Sequence, residues 1–109
     1  MLQEIKNLTY IDPVTQIGNY RSYLSESNFI IQSNKNDTFY VVVISIDDFK
    51  KINSLGGYGF GNETLKKFAE LIQTQLHEDE IVARYFGDEM ILLLKENDLE
   101  VLRERRFKC

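Results

Sequence analysis

Hydrophobic and polar positions alternate along this chain with enough order to predict most of its elements. "LQEIKNL" spaces Leu2, Ile5 and Leu8 at helical intervals, giving a short lead-in helix within residues 1–11. "IDPVTQIGN" interrupts it, because Pro13 disfavours helix at Asp12 and Gly18-Asn19 offers a turn followed by a cap. A second helix starts after Asn19 with Tyr20, Tyr23, Leu24, Ile30 and Ile31 as its apolar side, and "QSNKNDT" is a polar loop. "FYVVVISI" is β-branched and aromatic without alternation, the pattern of a strand covered on both faces. "DDFKKINSLGG" reads as a short helix closed by its glycines, and the Gly56–Gly61 run as a plain turn. Next comes the clearest helix, "NETLKKFAELIQTQLH", capped by Asn62 with Leu65, Phe68, Ala69, Ile72 and Leu76 in one stripe. "EIVARYF" and "EMILLLK" are strands joined at Gly87-Asp88, where glycine can take the positive φ of a tight hairpin. "ENDLEVLRERRFK" is a final helix with acids first and bases last, which suits the helix dipole.

Strand, crossover helices and antiparallel hairpin together predict an α/β sheet built on a split βαβ unit. That topology carries the end of the first strand towards the hairpin tip, gathering Asp47, Asp48, Asp88 and Glu89 near one edge. Four such acids need either full solvation, as cap and turn residues, or a bridging cation, for which Mg²⁺ is the natural candidate.

Composition narrows the picture. The 109 residues, 43% of them hydrophobic, suffice for one domain with a core and not for two. Seventeen acids against 13 bases argue against a nucleic-acid surface. No apolar run is long enough to span a bilayer and nothing reads as a secretion signal, so a cytoplasmic domain is expected. Cys109 and His77, each the sole residue of its type, make neither a disulfide frame nor a zinc site.

Four segments, in order and at matching spacing from about residue 8 to 95, resemble the GGDEF family of diguanylate cyclases. "DPVTQIGN" is similar to the family's DPLTGLPN, and "SIDDFKKIN" to DxDxFKxIN. "GGYGFGNETLKKFAELI" is similar to GHxxGDxxLxxxAxxL, and "RYFGDEMILLL" to RxGGDEFxxLL. The resemblance implies a fold like the polymerase and nucleotide-cyclase palm, a ferredoxin-like core with a sheet flanked by helices. The last strand of that fold, which would pair beside residues 39–46, is expected to be missing. The whole chain, 1–109, is then one GGDEF-like domain, a lead-in helix over 1–11 followed by 12–109. The active form of the family pairs two domains, each holding GTP with Mg²⁺ or Mn²⁺, to make cyclic di-GMP.

Carried over position by position, the resemblance assigns catalytic roles to Asp88 and Glu89. Metal ligation falls to Asp88, Asp47 and the Ile46 carbonyl. Substrate contacts fall to Lys50, Gly87 and Asn53, with Asn62 in the place of the aspartate that partners Asn53 on guanine. The departures sit at the same site. Ser45 replaces the first metal carboxylate, Phe86 the first signature glycine, Met90 the final phenylalanine and Tyr58 the histidine of "GH". The product-inhibition motif RxxD falls on His77-Glu78-Asp79-Glu80 and lacks its arginine. A neutral hydroxyl at 45 removes about half of the protein charge on the metal, and Asp47 lies about 6.6 Å further along the strand at roughly 3.3 Å per residue. The expectation is a degenerate, non-catalytic GGDEF signalling domain that binds GTP or pairs with a second copy or another signalling domain. The alternative is an active diguanylate cyclase with Asp47 as a relocated ligand.

Overall fold

The computed structural model describes residues 10–47 and 49–107, with the side chains of 52, 53, 57 and 58 outside that description. Most of the expected lead-in helix, Asp48, Cys109 and the side chains of Asn53 and Tyr58 therefore lie outside the described residues. The elements are α1 (Tyr20–Ser33), β1 (Phe39–Ser45), α2 (Phe49–Thr74), β2 (Ile81–Phe86), β3 (Glu89–Lys95) and α3 (Leu99–Glu104).

The three strands form an antiparallel sheet in the order β1-β3-β2. β3 is central and buried on both faces, which explains the uninterrupted "MILLL". On one face, Val82, Met90, Leu92 and Leu94 pack against Leu65, Ala69 and Ile72 of α2, joined by Ile17, with Leu102 and Phe107 at the margin. On the other, Ala83, Ile91 and Leu93 pack against Tyr23 of α1, whose hydroxyl donates to the Leu92 carbonyl at 3.2 Å.

Two expectations need correction. β1 is not covered on both faces. It lies at the sheet edge, and Val41 and Val43 are exposed while Val42 and Ile44 pack inward. An all-apolar segment carries no periodicity that separates an edge strand from a central one.

The second correction concerns residues 49–74, which form one continuous helix rather than two joined by a glycine turn, so Asn62 is an interior residue and not a cap. Glycine lowers helix propensity but breaks no hydrogen bond as proline would. The Leu65, Ala69, Ile72 stripe anchors the C-terminal half, and Gly61 is itself buried. The Thr64 hydroxyl donates to the Phe60 carbonyl at 2.9 Å, a back-bond typical of a continuing helix. A methyl at Gly56 would collide with the Phe60 ring, so that glycine makes room for an aromatic one turn on.

The loop before α1 is tied by its own side chains. Asp12 accepts from the Thr15 backbone N–H at 2.8 Å and its hydroxyl at 2.7 Å, and Asn19 caps α1 by accepting from the Ser22 N–H at 2.9 Å. Gly18 then bridges Ala83, and its carbonyl accepts from the Arg84 N–H at 2.9 Å, fixing the loop beside β2. α3 is shorter than its sequence pattern. Asp98 caps it by accepting from the Glu100 N–H, and the chain leaves the helix at Arg105.

Candidate functional site

The β1-β3 register sets the geometry. Ser45 lies directly opposite Glu89, so the end of β1 and the hairpin tip are adjacent, as the topology predicts. Beside Glu89 on the other flank stands Phe86, after an irregularity at Tyr85. Gly87 takes φ +59° at the tip, the left-handed conformation the turn asks of it. Its carbonyl accepts from Arg84 Nε at 3.0 Å, while Arg84 Nη1 reaches both Asp12 carboxylate oxygens at 3.3 Å. The loop before α1 therefore braces the hairpin. Local sequence patterns give no sign of this pair, since its members are 72 residues apart.

Ser45, Ile46 and Asp47 line a mainly apolar cavity of about 420 Å³ completed by Thr64, Lys67, Phe68 and Leu71 of α2. Lys67 supplies a cation that sequence reasoning did not single out. Lys50 is exposed in the first turn of α2. Asp88 and Glu89 are partly exposed and do not line this cavity. Positions 53 and 62 share one helix nine residues apart, about 13.5 Å along its axis and about half a turn out of phase at 3.6 residues per turn. The continuous helix does not bring those two backbone positions together.

Mg²⁺ takes oxygen ligands, usually one or two carboxylates together with substrate phosphates and water. Among the described residues no group of three or more His, Cys, Asp or Glu side chains is arranged to hold a metal. Ser45, facing Glu89, offers only a neutral oxygen at the β1 side of the site. The β1 side of the site thus offers one carboxylate fewer than the family motif at position 45.

The family pattern for "Diguanylate cyclase, GGDEF domain" matches residues 9–106. The chain belongs to the GGDEF family. Among curated relatives, the probable diguanylate cyclase DgcT of Escherichia coli is 30% identical over 99 residues, which is 91% of this chain and 22% of DgcT. GGDEF structures share the fold. The coiled coil and GGDEF domain of DgcB from Caulobacter crescentus, solved with c-di-GMP, has a TM-score of 0.79 at 20% identity, covering 93% of this chain and 54% of that one. Diguanylate cyclase SiaD of Pseudomonas aeruginosa, solved with its activator SiaC, has a TM-score of 0.75 at 23% identity, covering 93% of this chain and 40% of SiaD. The chain thus spans about a fifth of DgcT and about half of the DgcB chain. No helix among the described residues is long and apolar enough to cross a membrane.

Proposed function

We propose that this GGDEF domain is a non-catalytic member of its family. It would act in cyclic di-GMP signalling as a weak GTP-binding or protein-interaction module, cytoplasmic, paired with a second copy or with another signalling domain. One observation carries the reading: Ser45 stands across from Glu89 where the family motif places a carboxylate. Glu89 then faces a neutral partner, and a cation held from the hairpin alone keeps most of its water. Phe86 adds to this, since a largely exposed benzyl group occupies the tip position where the motif has glycine.

The test is turnover. GTP with Mg²⁺ or Mn²⁺ should give no cyclic di-GMP by liquid chromatography from the wild-type domain. Product that disappears in Asp88→Ala would instead establish an active cyclase.

A further inference from the structure

On the α1 side of the sheet, away from the Ser45 cavity, lies a second opening of about 390 Å³. Its lining includes Asp12, Tyr20, Arg21, Arg84, Tyr85 and Phe86. Three aromatic residues line it, the two tyrosines partly exposed (Tyr20 40%, Tyr85 43%) and Phe86 mostly so (76%). Tyr20 and Tyr85 meet edge to face at 5.1 Å and 63°, so the pair forms an angled shelf rather than a closed stack. Neither hydroxyl has a hydrogen-bond partner among the described residues.

The charges beside the shelf are unequal. Asp12 is consumed by Thr15 and Arg84, and Arg84 is held by Asp12 and the Gly87 carbonyl. Arg21 is exposed and makes no ion pair among the described residues, in a chain whose net charge is −4. A free guanidinium next to exposed π faces suits a flat aromatic ring that carries an anion. The volume admits one fused ring system with its phosphate.

We infer that this shelf binds a purine nucleotide monophosphate, the base lying on the Tyr20–Tyr85 pair and the phosphate on Arg21. The site lies on the opposite sheet face from the Ser45 cavity. It shares Phe86 and Gly87 with the hairpin tip but no residue with the Ser45 cavity, and it needs neither metal nor triphosphate. Base–aromatic stacking tolerates any base, so GMP and AMP should bind comparably.

The experiment is calorimetric titration of the intact chain with GMP and AMP in EDTA, with guanosine and inorganic phosphate as separate arms. Both nucleotides should bind, and each arm lacking one half of the ligand should bind far more weakly. Tyr20→Ala should weaken binding on the order of tenfold, as expected for loss of one stacking partner. Arg21→Glu should weaken GMP while leaving guanosine unchanged. Both residues are exposed, so unchanged melting temperatures would show that the variants fold. No binding at millimolar nucleotide, phosphate binding as tightly as GMP, or indifference to both variants would overturn the proposal.

Discussion

Replacing Arg105 with alanine tests how the C-terminal segment is held. Glu80 has a side chain with no solvent exposure, and Arg105, 13% exposed, clasps it through two contacts of 2.6 and 2.7 Å. The same carboxylate accepts from the backbone N–H of His77 at 2.7 Å and of Lys95 at 2.9 Å. Arg105 also donates to the Gln75 carbonyl at 3.2 Å and lies 5.1 Å over the Phe107 ring. Removing the arginine leaves a buried anion with only two amide donors, a loss of about 3–5 kcal/mol, whereas an exposed pair would contribute about 0–1 kcal/mol. For a domain of this size that is about 12 °C or more in Tm.

The pH dependence has a definite sign. Burial pushes the Glu80 carboxyl up, but hydrogen bonds from Arg105, His77 and Lys95, with the Arg105 charge, outweigh it and hold the group below its ordinary value. Its stabilisation is therefore present above the unfolded-state pKa and is lost as pH falls through the folded value. In Arg105→Ala the deficit should be largest near neutral pH and shrink as Glu80 protonates. Urea unfolding at pH 7 and pH 4 measures both. A deficit below about 1 kcal/mol at pH 7, or one that grows on acidification, would refute the argument.

Other consequences are separate. Gly59→Ala adds a methyl with nothing within 4 Å, so in a continuous helix it should stabilise by about 0.5–1 kcal/mol. Destabilisation in chemical denaturation would restore the broken-helix reading. Asp12→Ala unties both Thr15 and Arg84 and should cost about 1.5–3 kcal/mol, the range for hydrogen bonds to a charged group. A loss that small surface changes give, under about 0.5 kcal/mol, would deny it a bracing role. Met90→Ala hollows a fully buried position between α2 and the sheet and should cost about 2–5 kcal/mol by thermal or urea unfolding.

Much of this architecture was legible in the chain because local chemistry and tertiary structure agree. The Gly87-Asp88 hairpin, the Asn19 cap and strands 81–86 and 89–95 follow from turn residues, a helix-start signal and β-branched or apolar runs. Helix α2 was not legible, because four glycines argue locally for a turn while the packed stripe that outweighs them lies further along. The open face of β1 was hidden by a segment in which every position before Ser45 is apolar or aromatic. Asp12–Arg84 and Glu80–Arg105 join residues 72 and 25 apart, and no periodicity reports such pairs. At the candidate site the element order implied that the end of β1 meets the hairpin tip, and Ser45 does lie opposite Glu89. It did not reveal the Lys67-lined cavity, which depends on how α2 lies across the end of β1.

The central claim is that one serine, by withholding a carboxylate, leaves this family site without a firm hold on a divalent ion. Calorimetric titration of Mg²⁺-GTP into the wild-type domain and into Ser45→Asp tests it most directly. The wild type should show weak binding at most and the restored carboxylate a clear gain in affinity. Equal, tight binding by both proteins would contradict the account.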